Sequence, residues 1–217
     1  MDHDFWLRRW EHGQIGFHQP RVDADLQAFL AAWLDEPHHR ILVPLSGKSV
    51  DLPFLAGRGH DVTGVELSAK AVAEFHQEQG LRAFVEPDGP FTVHTSSGVT
   101  IYHGDFFALD ADRVGHFDRA WDRGALVAMD ADRRPSYVRT LRNLLRPAAR
   151  VLLSVFDYDQ QRLEGPPWSV PPAEVEALWA GCRIELLQTI DASSEGRFKE
   201  AGLTEARIHT CLVHLPG

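Results

Sequence analysis

An alternation of short apolar runs and helical segments between residues 40 and 80 restricts the fold of this chain more than any other feature. Residues 40–45 (RILVPL) are typical of a buried strand, and a polar turn separates them from a helical segment at 50–56. Residues 61–66 (DVTGVE) predict a second strand, and a second helix begins at Ser68 and ends before Gly80. Strands joined through single helices run parallel, so the pattern predicts an α/β sheet with helices on both faces.

The remaining segments extend this pattern. They predict helices at 23–34, 135–145 and 173–180, a hairpin from 91–94 and 99–102, and strands at 117–121, 150–156, 183–190 and 207–215. The last two strands have little helix between them, which favours an antiparallel pair at one sheet edge. We therefore predict a three-layer, doubly wound and mostly parallel α/β sheet in a single domain, residues 1–217.

Composition and charge restrict the partners. The 217 residues carry 31 acidic and 22 basic side chains, a formal charge of −9 that opposes binding to nucleic acid. No segment approaches the ~20 apolar residues that cross a bilayer, and the amino terminus lacks the order of a signal peptide. Two cysteines about 30 residues apart and the adjacent His38 and His39 do not match a metal-site spacing. We expect a cytoplasmic, monomeric protein without metal, nucleic-acid or membrane partners.

The turn after the first strand and the acid ending the second predict a nucleoside site. In an open parallel sheet ligands bind beyond the carboxyl ends of the strands, where Gly47 permits close backbone approach. Glu66 follows about 20 residues later, where a carboxylate accepts hydrogen bonds from both ribose hydroxyls. The alternative is structural: Gly47 relieves a tight turn and Glu66 is a solvated helix cap.

The glycine content of that turn bears on the cofactor. A pyrophosphate requires a glycine-rich helix start, whereas this turn has a single glycine, so a phosphate-free nucleoside such as S-adenosyl-L-methionine is favoured. The amino-terminal aromatic residues could cover a sulfonium, because cations are attracted to ring faces. Trp10 and Phe17 are the rings to which we assign this role. The alternative for the others, Phe5 and Trp6, is packing of the first helix.

Four stretches resemble the thiopurine S-methyltransferase family in order along the chain: FWLRRWEHGQIGFHQ, ILVPLSGKSVDLPFLAGRGHDVTGVELS, FDRAWDRGALVAM and GPPWSVPPAEVEALW. The resemblance implies a class I methyltransferase fold, which is Rossmann-like, with seven strands and an antiparallel last strand. It also implies an amino-terminal helical cover, residues 1–36, over the cofactor. One departure is Ser46, where the family commonly has cysteine. Direct methyl transfer needs no enzyme thiol, so we expect only a small effect of Ser46.

The resemblance also implies site residues. Its cofactor contacts fall on Trp10, Leu45, Glu66, Asp105, Phe106 and Arg123, to which the turn pattern adds Gly47. Trp10 would lie against the methionine moiety, and Asp105 and Phe106 would bound the adenine. Arg123 would attract a carboxylate or an anionic substrate. Phe17 matches the substrate contact, a ring on which a flat heteroaromatic stacks.

The reaction implied is in-line methyl transfer from S-adenosylmethionine to the sulfur of an aromatic or heterocyclic thiol, which leaves S-adenosyl-L-homocysteine and serves detoxification. Arg123, together with Arg197, would stabilise the thiolate, and His18 is the predicted accessory base. The alternatives are a solvated loop arginine for Arg197 and a surface imidazole for His18.

Three other functions stay open from sequence. One is methylation of halide, thiocyanate, selenium or tellurium species, which would need a small basic pocket. A nicotinamide-dependent oxidoreductase is opposed by the missing glycines and by the lack of a Tyr-x-x-x-Lys relay. A non-catalytic protein that binds S-adenosylmethionine would share the fold but not transfer a methyl group.

Overall fold

A computed structural model describes residues 3–217, in two compact units that divide after Trp121. The first unit contains α1 (His3–Glu11), α2 (Ala24–Trp33), β1 (Arg40–Pro44), α3 (Asp51–Ala56), β2 (Asp61–Glu66), α4 (Ala69–Glu78), β3 (Phe84–Asp88), β4 (Phe91–Ser96), β5 (Val99–His103) and α5 (Ala111–Val114). Strand β6 (Phe117–Arg123) ends just past the division. The second unit continues with α6 (Arg134–Leu144), β7 (Leu145–Tyr158), α7 (Pro172–Leu178), β8 (Arg183–Asp191), α8 (Gly196–Glu200) and β9 (Ala206–His214).

The sheet of the first unit has a parallel centre. Strand β1 pairs in parallel with β2 and β6, and β2 pairs in parallel with β5. Ile41 and Leu42 of β1 are completely buried, as expected for a strand covered on both faces. The predicted α/β class with a parallel centre is therefore confirmed.

Helix starts in the first unit follow the capping residues in the sequence. The Asp23 carboxylate accepts hydrogen bonds from the backbone N–H groups of Asp25 and Leu26, and α2 begins at Ala24, directly after this cap. The Ser68 hydroxyl accepts from the backbone N–H of Ala71 and begins α4. Both helices lie where the apolar spacing predicts them.

An antiparallel extension lies beside β5. Strands β4 and β5 form the predicted hairpin, and β3 adds to β4 in antiparallel register. Strand β3 was not predicted, because its segment FVEPD contains a proline and has no apolar alternation. In the structure this strand is largely exposed. With it, residues 3–217 contain nine strands, whereas the resemblance implied seven; β3 and β4 account for the difference.

The second unit is built on antiparallel pairs. Strand β9 lies between β7 and β8 and is antiparallel to both, which confirms the antiparallel last strand. Helix α6 packs Tyr137 and Leu141 into the core. Strand β7 is longer than the predicted run at 150–156, because it starts directly after α6.

Residues 3–217 show neither a membrane-spanning helix nor a cluster of metal ligands. None of the helices there is long and apolar enough to span a bilayer. Nor does this part of the chain place three or more histidine, cysteine, aspartate or glutamate side chains where they could hold a metal ion.

Candidate active site

The carboxyl ends of β1, β2 and β5 meet at one edge of the first unit. Pro44 of β1 lies in register with Val65 of β2, and Glu66 lies in register with His103 of β5. The backbone N–H of Ser46 donates to the Val65 carbonyl at 2.9 Å, and that of Gly104 donates to the Glu66 carbonyl at 2.9 Å. The segments that follow the three strands therefore leave the sheet side by side.

The turn after β1 has a constrained backbone. Leu45 has a φ of 48° and Gly47 has a φ of 55°, both in the left-handed region. Glycine adopts this conformation without strain, whereas leucine does not. A residue held at positive φ beside a strand end is typical of functional turns. The conformation of Leu45 is consistent with its predicted role of presenting backbone to a ligand.

Glu66 lies at the end of β2 and is buried, with 6% of its surface exposed. One carboxylate oxygen accepts from the backbone N–H of Gly47 at 2.8 Å, and the other accepts from that of Ser68 at 2.7 Å. Burial raises the pKa of Glu66 to about 7, although these backbone hydrogen bonds oppose the shift. The burial contradicts the alternative of a solvated cap. The structure thus joins the two residues that the sequence pattern paired.

Asp105 and Phe106 follow the end of β5. The Asp105 carboxylate accepts from the backbone N–H of Phe107 at 3.0 Å and starts the 3-10 turn Phe106–Ala108. Its other oxygen lies 3.5 Å from Nε2 of His3 in α1. Phe106 is buried. The two residues combine a carboxylate with an apolar wall at the same sheet edge as Glu66.

Aromatic side chains of the amino-terminal segment lie over the turn. Trp10 is buried, and a β-carbon added at Gly47 would lie 3.1 Å from its Cζ2 atom. The Phe17 ring meets Trp10 and Trp6 edge-on, with centroids 5.6 Å apart in both pairs, and it is 36% exposed. Phe5 contacts Trp6 in the same manner. Only the absence of a side chain at Gly47 permits the close approach of Trp10.

The lysine after Gly47 is a residue that the sequence reasoning missed. The Lys48 ammonium donates to Glu74 at 2.7 Å and to Glu78 at 2.6 Å, both on α4. These hydrogen bonds outweigh burial and raise its pKa. Because two carboxylates neutralise this ammonium, it is not available as a phosphate ligand. The glutamates at helical spacing on α4 are the sequence signal that could have suggested the pairing.

Ser46 is buried beneath the same turn. Its hydroxyl oxygen has no hydrogen-bond partner among residues 3–217. It faces the chain at Gly64, where an added β-carbon would lie 2.7 Å from the hydroxyl. The hydroxyl is therefore buried close to Gly64 without a polar partner among the described residues.

His18 lies in the loop that follows the aromatic cluster. Its backbone N–H donates to the Ile15 carbonyl at 2.8 Å. Its charge contributes to lowering the pKa of Glu74 on α4. The predicted accessory base is therefore on the same loop as Phe17.

Arg123 and Arg197 belong to the second unit. Arg123 is half-buried at the end of β6. The preceding Asp122 is completely buried, where it accepts from the Tyr137 hydroxyl at 2.7 Å and from the backbone N–H of Leu126 at 3.0 Å. Burial raises the pKa of Asp122 to about 6. These bonds fix the backbone from which the Arg123 side chain extends.

Arg197 contacts the proline-rich loop before α7. Its guanidinium donates to the Pro166 carbonyl at 2.7 Å and also to the Glu164 carbonyl.

Elsewhere in this unit, a surface cavity of about 290 Å³ has none of the predicted site residues in its wall. It is lined by Asp157, Tyr158, Asp159, Arg162, Leu203, Thr204, Glu205 and Arg207.

Comparison with known proteins gives consistent results. The family model for thiopurine S-methyltransferase matches residues 1–214. A Bordetella petrii protein named thiopurine S-methyltransferase is 45% identical over 207 residues, with 94% of each chain covered. A Pseudomonas syringae pv. pisi protein of the same name is 41% identical over 217 residues, covering 98% of this chain and 99% of its own. The structure of Burkholderia thailandensis 1,6-didemethyltoxoflavin-N1-methyltransferase, with S-adenosylhomocysteine bound, superimposes with a TM-score of 0.66 at 20% identity, covering 99% of this chain and 87% of its own.

These matches confirm the resemblance drawn from the four sequence stretches and the class I methyltransferase fold. They also confirm an enzyme that depends on S-adenosylmethionine as its methyl donor. The chain belongs to the thiopurine S-methyltransferase family.

Proposed function

We propose that this chain transfers the methyl group of S-adenosylmethionine to the sulfur of aromatic or heterocyclic thiols such as thiopurines. The observation that carries the proposal is the grouping of Glu66, Gly47 and Trp10 at the carboxyl edge of the parallel strands. The names of the relatives support a thiol as the acceptor. A small-molecule thiol is accordingly the proposed partner.

The residues at this edge fit an adenosyl group. The two carboxylate oxygens of Glu66 accept from the backbone N–H groups of Gly47 and Ser68, and an ionised carboxylate has further lone pairs that can accept from ribose hydroxyls. Gly47 and Leu45 expose backbone at the turn, and Asp105 with Phe106 would hold the adenine. The lysine of the turn is neutralised by α4, which agrees with a ligand that carries no phosphate.

The cofactor, when bound, supplies a methyl group on a positively charged sulfur. Attack by a thiolate removes two charges, so a site that excludes water favours the reaction. Trp10 and Phe17 would form the aromatic cover, with Phe17 stacked on the acceptor ring. Orientation of the two reactants contributes up to ~7–11 kcal/mol in favourable cases.

Arg123 is the residue we assign to the acceptor sulfur. Its guanidinium would stabilise the thiolate by charge, so that an acidic aromatic thiol requires no strong base. His18 remains the proposed accessory base. Arg197 remains the proposed second arginine: two of its nitrogens hold the loop carbonyls of Glu164 and Pro166, and each has another N–H that could reach a substrate.

An acceptor screen tests the proposal. Radiolabelled methyl transfer is measured with thiopurines, other thiols, selenols and halides, using the wild-type chain, Arg123→Ala and Arg139→Ala. Arg139 is an exposed arginine on α6 and serves as the matched control. We expect transfer to thiopurines, a large loss with retained cofactor binding in Arg123→Ala, and no change in Arg139→Ala.

Two outcomes would contradict this assignment. Undiminished turnover of Arg123→Ala would remove that arginine from the site. Transfer to halides or selenols but not to aromatic thiols would replace the proposed acceptor class.

A further inference from the structure

A chain of charged groups links the turn after β1 with the end of the cover helix α1. It runs from Lys48 through Glu74 and Lys70 to the backbone carbonyl of Glu11, and we call these four residues the latch. All four belong to the first unit. The latch lies outside the set of residues that the family resemblance implies, and its components are joined by contacts within hydrogen-bond or ion-pair range.

The inner end of the latch fixes the turn. The Lys48 side chain is 8% exposed, and its ammonium lies 2.7 Å from Oε2 of Glu74. That bond is the main cause of the lowered pKa of Glu74. Lys48 directly follows Gly47, whose N–H donates to Glu66. A displacement of Lys48 would therefore move a hydrogen-bond donor of the buried carboxylate.

The outer end of the latch holds helix α1. Lys70, in the first turn of α4, donates from Nζ to the Glu11 carbonyl at 3.1 Å, and the same atom lies 3.8 Å from Oε1 of Glu74. Glu11 ends α1 and is adjacent to Trp10. A cation at the carboxyl end of a helix satisfies unpaired carbonyls and opposes the helix dipole. Lys70 thus holds the end of the helix that carries the aromatic cover.

Glu74 is the element shared by the two ends. One of its oxygens contacts Lys48 and the other contacts Lys70. Glu78 also contacts Lys48, but within the described ion pairs it has no contact with Lys70. The two glutamates therefore differ in one respect that matters here: only Glu74 connects the turn with the cover helix.

We propose that Glu74 is a positioning residue that couples the cover helix α1 to the Gly47–Glu66 turn, so that the latch sets how long an adenosyl ligand stays beneath Trp10. The proposal rests on the adenosyl site described under the proposed function. When Lys70 or Glu74 loses its charge, the end of α1 loosens and the ligand leaves faster. The latch acts on ligand release and has no part in the methyl transfer itself.

The test compares Lys70→Met, Glu74→Gln, their double variant, Lys70→Arg and the control Glu78→Gln. Both latch side chains are partly exposed, at 43% for Lys70 and 27% for Glu74, so the substitutions leave the core intact. The first readout is amide hydrogen exchange at residues 12–14, whose N–H groups bond to the last carbonyls of α1. The second is the dissociation rate of S-adenosylhomocysteine, followed by tryptophan fluorescence.

We expect Lys70→Met and Glu74→Gln each to increase both rates about two- to fivefold, the range for partly exposed ion pairs. In the double variant, the exchange rate and the dissociation rate should be at most twofold higher than in either single variant, because Lys70 and Glu74 act through the same contact. Lys70→Arg keeps the charge and should restore wild-type rates, and Glu78→Gln should leave exchange at residues 12–14 unchanged. The differences should shrink at high salt.

Wild-type rates in both Lys70→Met and Glu74→Gln would overturn the latch, as would equal loosening of α1 in Glu78→Gln. Faster exchange without faster release would overturn the coupling to the ligand. If the wild-type chain binds no S-adenosylhomocysteine, the proposed function fails and the coupling fails with it. The exchange rates would still decide whether the latch holds α1.

Discussion

Replacing Ser46 by cysteine should stabilise this protein. The Ser46 hydroxyl is buried and has no hydrogen-bond partner among residues 3–217. The hydroxyl packs close to Gly64, where an added β-carbon would lie 2.7 Å from it. A thiol tolerates such surroundings because it is a weak hydrogen-bonding group that behaves as a small hydrophobe.

The size of the effect follows from the cost of burying a polar group. An unsatisfied buried donor or acceptor costs about 1–3 kcal/mol. The larger sulfur is crowded against Gly64 and recovers only part of that, so we expect Ser46→Cys to add about 1 kcal/mol to the free energy of unfolding. For a chain of this length, this corresponds to a rise in Tm of about 2–4 °C.

Urea unfolding under reducing conditions measures this change. Ser68→Ala is the matched control, since Ser68 is also buried but its hydroxyl accepts the Ala71 N–H at the start of α4. Loss of this helix-capping hydrogen bond in Ser68→Ala should lower the free energy of unfolding by about 1 kcal/mol. The reasoning is refuted if Ser46→Cys and Ser46→Ala both destabilise the chain by about 1 kcal/mol or more, because the hydroxyl would then have a partner.

Two further predictions concern Glu66 and Gly47 in the first unit and the buried Asp122 in the second unit. Burial raises the pKa of Glu66 to about 7 and that of Asp122 to about 6, so the folded chain binds these protons more tightly than the unfolded chain does. The free energy of unfolding should therefore fall by about 3 kcal/mol for each acid as the pH rises from about 4 to 7. In urea unfolding of Glu66→Gln, the part of this pH dependence that Glu66 contributes should be missing. An unchanged pH dependence in Glu66→Gln would show that burial does not raise the pKa of Glu66. Gly47→Ala should destabilise the chain by about 1–2 kcal/mol through its positive φ and should also weaken binding of S-adenosylhomocysteine by displacing Trp10. Gly80 has a similar φ, but nothing lies within 4 Å of a β-carbon added there. In the same urea and calorimetric measurements, Gly80→Ala should therefore lose stability but keep wild-type affinity for S-adenosylhomocysteine. Equal affinity in the two variants would exclude an effect of the Trp10 contact on binding.

Local patterns were sufficient for the elements around the site. Strand β2 begins and ends where its apolar run predicts, and α2 and α4 follow the caps Asp23 and Ser68. The bounds of these elements depend on residues that are close in sequence, so the sequence alone predicts them. The pairing of Gly47 with Glu66 also followed from the rule that parallel strands present their carboxyl ends at one edge.

Other features depend on contacts between distant residues. The ion pairs of Lys48 reach Glu74 and Glu78, 26 and 30 residues further along the chain. The helical spacing of the two glutamates is visible in the sequence, but their contact with Lys48 depends on how α4 packs beside the turn. Strand β3 exists because β4 offers it a partner, although its own composition disfavours a strand. The burial of Glu66 likewise arises from packing, which is why the sequence left a solvated cap open as an alternative.

Calorimetric titration of S-adenosylhomocysteine at pH 8, above the pKa of Glu66, into the wild-type chain and Glu66→Gln tests the central claim most directly. A carboxylate that accepts both ribose hydroxyls contributes about 1.5–3 kcal/mol for each charged hydrogen bond. We therefore expect the wild-type chain to bind and Glu66→Gln to bind at least about tenfold more weakly. Equal affinity in the two proteins would contradict the assignment of Glu66 to the ribose and, with it, the placement of the cofactor at the ends of β1 and β2.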